Sequence, residues 1–165
     1  MPLSFARASR GASLVALWFS GLGLLAMTAI IFWQVIARYV LNASPAWSEQ
    51  TALILMIWMV FFAGAAGVRE GFHISIVAAT NAASPRLAHW MRLSAQLVIA
   101  GFGLALMVFG TELVLRTWEH TVPALGISRG LAYSPAPASG LLMLLFALEQ
   151  MAAIVHEREV EAAWN

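Results

Sequence analysis

The sequence predicts an all-α integral membrane protein with four transmembrane helices. Apolar residues make up 61% of its 165 residues and charged residues only 10%, and its mean hydropathy is +0.81. A soluble domain usually carries about 25% charged residues, because its surface must be solvated. In addition, four apolar runs reach the length of about 20 residues that a helix needs to cross a bilayer.

The charged residues exclude several classes of protein. They are nine arginines and eight glutamates, and the chain contains no lysine, aspartate or cysteine. Without cysteine there is no disulfide scaffold and no cysteine-ligated metal or iron–sulfur centre. The net charge is only +1 and no basic run exists, so a nucleic-acid partner is not expected. The composition therefore indicates a protein embedded in membrane lipids.

The four apolar runs define predicted spans at about 14–37, 51–68, 93–115 and 136–155. The first three contain one charged residue, Glu112, close to the end of the third. The fourth is the least apolar, since Glu149 and Gln150 lie inside it. We expect residues 1–165 to form one membrane domain that ends in a short exposed tail at 156–165.

The N-terminal segment has features of a secretory signal, because Arg7 and Arg10 precede an apolar run. That run is longer than the roughly 7–15 residues of a signal peptide and is not followed by a convincing cleavage site. We therefore interpret it as an uncleaved first span.

The arginines predict the orientation of the chain. With the N-terminus inside, six of the nine arginines are cytoplasmic and three are external, which agrees with the positive-inside rule. Both termini are then cytoplasmic. The connection at 69–92 is internal, and Ser84-Pro85 breaks it, so we expect a short interfacial helical segment between spans two and three.

Glu149 is informative because an ionisable side chain inside a span is costly and often functional. It lies about 12 Å from the predicted inner end of its helix. As a functional group, Glu149 would form a proton or cation site. As a structural group, it would pair with Arg69 or Arg92 at the same membrane face or with another subunit, or its side chain would reach the interface. One carboxylate is a poor ligand set for a cation, which favours the structural interpretation.

Two ion pairs are predicted near the outer ends of the spans. Glu112 precedes Arg116 by four residues, which is the favourable order for a pair on one helix. Arg38 and Glu49 flank the short connection between the first two spans and could meet across it. Either pair could equally contact a partner protein, and the sequence does not choose.

The histidines, namely His73, His89, His120 and His156, all lie in connections or at span ends. A membrane haem needs imidazoles that project from within spans, and no two of these histidines have a spacing suited to zinc. We therefore expect no metal site. The sequence also offers no nucleophile–base pair and no phosphate-binding glycine loop, so we assign no catalytic residue and do not expect an enzyme.

Three stretches carry a family resemblance. The first comprises Arg38-Tyr39, Asn42, Ser44-Pro45 and Trp47-Ser48-Glu49. The second comprises Trp58, Phe61-Phe62, Gly64-Ala65-Ala66 and the run from Arg69-Glu70 to His73-Ile74, and the third comprises Pro123 to Ile127, Tyr133 and Pro137. In order, spacing and four-span layout they resemble the DctQ-type small membrane subunit of tripartite ATP-independent periplasmic (TRAP) transporters. The resemblance covers about residues 14–156.

The resemblance implies a bacterial inner-membrane transporter in which a periplasmic binding protein delivers an organic acid to two membrane subunits. The large subunit would hold the substrate and sodium sites, so no cofactor is expected in this chain, which would be a scaffold for it. The candidate structural ion pairs or partner contacts are Arg38, Glu49, Arg69, His73, Glu112, Arg116, Arg129 and Glu149.

Two alternatives to the scaffold stay open. One is a self-sufficient small multidrug-type exporter that works as a homo-oligomer around Glu149 or Glu112. The other is a haem-bearing redox membrane anchor, although the positions of the histidines argue against it.

Overall fold

The computed structural model describes residues 3–43, 45–71 and 84–155. His73, the tail at 156–165 and most of the connection expected to hold an interfacial helix lie outside these ranges. The helices are α1 (Leu3–Tyr39), α2 (Ala46–Glu70), α3 (Pro85–Thr117), α4 (Arg129–Tyr133) and α5 (Pro135–Val155). Across the described ranges we find no β-strand, only an isolated bridge between Thr121 and Ser128.

Four helical stretches are long and apolar enough to cross a membrane, which confirms the all-α, four-helix prediction. The fourth of them joins α4 and α5 as Arg129–Val155. Ser134 interrupts it as a turn, and the next residue, Pro135, has no backbone N–H to continue the helical ladder. The last span is therefore a broken helix that begins before the predicted start at residue 136.

α1 also begins earlier than its predicted span. Its 37 residues extend about 55 Å, well beyond the roughly 30 Å hydrocarbon core of a bilayer. No proline interrupts the segment from Leu3 to Leu14, so the helix continues past the end of the apolar run. This extension brings Ser9 and Ser13 alongside the ends of other helices.

The four long helices stand in a row in the order α1–α2–α5–α3. α2 packs between α1 and α5, and α5 packs between α2 and α3, whereas α1 and α5 meet only over a short stretch. Val68, Ala100, Phe146 and Ala147 form a buried core in one half of the row, and Ala12 of α1 packs against it. All four long helices therefore contribute residues to one core. This core lies towards the end of the row where α1 begins, which we call the inner end.

The α3–α5 contact is the closest in the row, because glycines face each other across it. A Cβ atom added to Gly140 would lie 2.6 Å from the Met107 backbone nitrogen and 2.7 Å from the Gly103 backbone oxygen. A Cβ atom added to Gly110 would lie 3.0 Å from the Pro137 nitrogen. Small residues permit this kind of backbone approach between membrane helices.

Most of the apolar surface of the row is left exposed. Only 17% to 33% of the residues in each apolar window are buried within the chain. Large side chains such as Trp18, Phe32 and Phe109 are each at least 66% exposed. Exposed apolar surface on this scale marks contact with membrane or protein, which agrees with helices that cross a bilayer.

Candidate functional site

Polar side chains from three helices meet at the inner end of the row. We call this group the Arg69 cluster, and it consists of Ser9, Ser13, Arg69, Glu70, Glu149 and Gln150. The side chains of Arg69, Glu70 and Glu149 are only 3%, 0% and 5% exposed. Burying charges is costly unless they are paired and hydrogen-bonded. The contacts within the cluster therefore show how these buried charges are stabilised.

Arg69 is the centre of the cluster. Its Nε donates a hydrogen bond of 2.9 Å to the Ser9 hydroxyl and lies 3.5 Å from Glu149 Oε2. Its Nη1 lies 3.3 Å from Glu70 Oε1. The Ser9 hydroxyl in turn donates to Glu149, so Arg69 and Ser9 together engage this carboxylate.

Two further bonds complete the connection between the helices. The Ser13 hydroxyl donates to Glu70 Oε1 at 2.5 Å, which joins α1 to the end of α2. Gln150 Nε2 donates to the Arg69 backbone oxygen at 2.8 Å, which joins α5 to the same turn. The Arg69 cluster therefore connects α1, α2 and α5 at the inner end of the row.

The sequence left Arg69, Arg92 and another subunit as candidate partners of Glu149. The structure brings Glu149 to Arg69, while Arg92 is exposed. Sequence reasoning missed Ser9, Ser13, Glu70 and Gln150 as members. A signal existed, because Ser9 and Ser13 are four residues apart and therefore share one face of α1. Ser20 continues that face and donates to the Met59 backbone oxygen of α2 at 3.0 Å.

At the opposite end, which we call the outer end, the charged side chains are exposed. Arg116 Nη2 lies 2.6 Å from Glu112 Oε1, and the two side chains are 76% and 50% exposed. Arg129, at the start of α4, is also exposed. Within the described ranges, the ion pair at this end is local to one helix and does not join two helices.

Arg38 and Glu49 do not meet, in contrast to the expected pair across the first connection. Glu49 lies on the side of α2 that faces Pro123 and Ala124, whereas α1 packs on another side. The rotation of α2 about its axis, which a short connection does not determine, separates the two side chains.

Glu49 instead lines an open groove of about 630 Å³, which we call the outer groove. The groove lies between the first turns of α2 and the α3–α4 loop, and its lining residues are Ala46, Glu49, Gln50, Leu53, Pro123 and Ala124. Gln50 Oε1 accepts a 3.1 Å hydrogen bond from the Ala124 backbone N–H and so fixes the loop to α2.

The α3–α4 loop is itself held by backbone hydrogen bonds. Val122 N–H donates to Ile127 O at 2.8 Å, and Arg129 N–H donates to His120 O at 2.7 Å. Gly126 adopts a φ of +65°, a conformation that glycine accepts without a steric penalty, and this closes the turn. The wall of the outer groove is therefore an ordered loop.

The described histidines lie apart, with His89 in the first turns of α3 and His120 just beyond its other end. Over 3–43, 45–71 and 84–155, no group of three or more histidine, cysteine, aspartate or glutamate side chains could hold a metal ion. The described polar groups thus join helices at the inner end and are exposed at the outer end.

The sequence matches a family model and is similar to several known proteins. The family model for the DctQ component of tripartite ATP-independent periplasmic transporters matches residues 27–157. The sialic acid TRAP transporter small permease protein SiaQ of Vibrio cholerae is 25% identical over 126 residues, covering 76% of this chain and 73% of that protein. The C4-dicarboxylate TRAP transporter small permease protein DctQ of the same species is 30% identical over 98 residues, covering 59% of this chain and 39% of that protein.

Proposed function

The chain belongs to the DctQ component family of TRAP transporters, and from this premise we propose that it braces a large permease subunit and does not itself carry the solute. As a small permease component it is a multi-pass protein of the inner membrane and a transporter subunit, not an enzyme. The scaffold role, the nature of the solute and the driving ion are the proposal.

The main support for the scaffold role is the row of helices, whose apolar surface is largely left uncovered within the chain. A self-sufficient carrier needs a polar path that a solute or ion can enter. In the described part of the chain, the buried charged side chains Arg69, Glu70 and Glu149 are engaged with one another and with serine hydroxyls. Most of each span is exposed apolar surface, which suits packing against another membrane protein.

The proposed substrate class is an organic acid, driven by a sodium gradient. The two relatives are named for sialic acid and C4-dicarboxylate transport, and both solutes carry carboxylates. Because this chain offers no path for a carboxylate along its described spans, we assign the substrate and sodium sites to the large subunit. A periplasmic binding protein would deliver the solute to the complex.

Co-purification tests the scaffold role. The tagged chain, expressed from its own promoter and extracted in mild detergent, should elute with a much larger multi-span protein. Extraction in a harsh detergent that dissociates membrane complexes provides the control. Elution of the chain by itself under mild conditions, as a monomer or as a homo-oligomer, would contradict the proposal.

A self-sufficient exporter is the second candidate, and the buried carboxylate of Glu149 is what favours it. Glu149→Gln separates the two roles, because the amide cannot take up and release a proton but keeps a similar shape. An exporter should lose coupled transport, whereas a scaffold should show at most weaker assembly. Loss of coupled transport by fully assembled Glu149→Gln complexes would favour the exporter.

A further inference from the structure

The outer groove combines an apolar lining with a carboxylate that has no charged partner. Leu53 on its wall is 54% exposed, and Ala46, Pro123 and Ala124 contribute further apolar surface. Glu49 is exposed, and among the described residues it forms no ion pair. Such a groove is complementary to a side chain that is aliphatic along its stem and positively charged at its tip.

Lysine and arginine have this character, because both lay an apolar stem along a surface while the charged group stays in water. The stem would contact Leu53 and Pro123, and the cation would reach the Glu49 carboxylate. An anionic lipid headgroup fits poorly, since Glu49 would repel it. Charge complementarity therefore selects a basic protein side chain as the occupant.

The groove is also fixed before any partner arrives. Gln50 anchors the loop at Ala124, and the hydrogen bond from Val122 to Ile127 closes the loop on itself. A fixed groove lowers the cost of ordering residues on binding.

Its position indicates which partner approaches. The groove lies at the start of α2, at the end of the row opposite the Arg69 cluster. With the orientation predicted from the arginines, this is the external face, which a soluble protein can reach. We propose that the outer groove binds a basic side chain of the periplasmic binding protein, an inference that rests on the proposed function.

Binding of the substrate-loaded binding protein to the assembled small–large subunit complex in lipid nanodiscs tests this inference. Glu49→Arg reverses the charge and should weaken the affinity by about tenfold, chiefly through slower association. Leu53→Trp fills the groove and leaves its charge unchanged, and it should weaken binding to a similar extent. Raising the ionic strength should weaken binding to the wild-type complex more than binding to Glu49→Arg.

Glu119→Arg is the matched control, because Glu119 is an exposed glutamate at the same end that does not line the groove. It should change the affinity by less than about twofold. An equal loss with Glu119→Arg would show general electrostatic attraction and overturn the groove as the contact. Wild-type affinity in both Glu49→Arg and Leu53→Trp would also overturn it.

Three outcomes separate this inference from the proposed function. If the wild-type complex assembles and binds the binding protein but the groove variants behave as wild type, only the groove assignment fails. If Glu49→Arg instead releases the large subunit on size-exclusion chromatography, the occupant belongs to that subunit and the assignment to the binding protein is overturned. If the wild-type complex does not form, both proposals fail.

Discussion

The two ends of the helix row use charged residues in opposite ways. At the inner end, Arg69, Glu70 and Glu149 are buried and bonded across three helices. At the outer end, Glu112 and Arg116 are exposed and pair along one helix, while Glu49 stands without an ion partner in the described chain. Charges that join helices contribute to folding, and charges that face water remain available to other proteins. We therefore propose that the inner end holds the row together and that the outer end is the surface for recognition.

Removing Arg69 should give the largest effect. Arg69→Ala leaves the buried Glu149 without its counter-charge, and breaking a buried pair in this way costs about 3–5 kcal/mol. Thermal unfolding in detergent, followed by tryptophan fluorescence, measures the change. A melting temperature equal to that of the wild type would show that the inner end does not hold the row together.

Ser9→Ala should have the next largest effect. The Ser9 hydroxyl accepts from Arg69 and donates to Glu149, and a hydrogen bond to a charged group contributes about 1.5–3 kcal/mol. Thr111→Ala is the control in the outer half of α3, where an exposed hydroxyl donates only to the Met107 backbone oxygen one turn earlier in the same helix. Equal decreases in the unfolding temperature of the two variants would show that hydroxyl groups at the two ends contribute equally to stability, which would contradict the proposed difference between the ends.

Glycine substitutions test whether close packing between α3 and α5 stabilises the row as strongly as the polar contacts do. Gly140→Ala places a methyl group 2.6 Å from a backbone nitrogen of α3, and overpacking of this kind costs about 1–3 kcal/mol. Gly101→Ala is the matched control on α3, because no atom lies within 4 Å of its added Cβ. Unfolding midpoints that shift to the same extent in both variants would argue against the tight α3–α5 contact.

Arg116→Ala should give the smallest effect. An exposed ion pair contributes about 0–1 kcal/mol, so the unfolding midpoint should stay close to that of the wild type. A loss as large as that of Arg69→Ala would show that the outer pair also supports the fold.

The fold followed from the sequence to a large extent, because membrane spans are encoded locally in long apolar runs. The order of the helices in the row did not, since it depends on which faces meet after insertion. Gly103 and Gly140 make the α3–α5 contact close, yet nothing in either span alone identifies the other as its partner. The early start of α1 was missed for a related reason, because an apolar run marks the membrane and not the end of a helix.

The candidate sites were predictable only in part. Glu112 and Arg116 are separated by one helical turn, so their pairing could be read directly. Arg69 could be named as one possible partner of Glu149, but the choice over Arg92 required the tertiary structure. The expected pair of Arg38 and Glu49 depended on the rotation of α2, which only the packing of its neighbours determines.

Uptake by reconstituted proteoliposomes tests the central claim most directly. Vesicles should contain this chain alone, the large subunit alone, or both, each with the binding protein, an organic acid substrate and an inward sodium gradient. We expect uptake only when both membrane subunits are present, and no uptake by this chain alone. Sustained substrate transport by this chain without the large subunit would contradict the scaffold role.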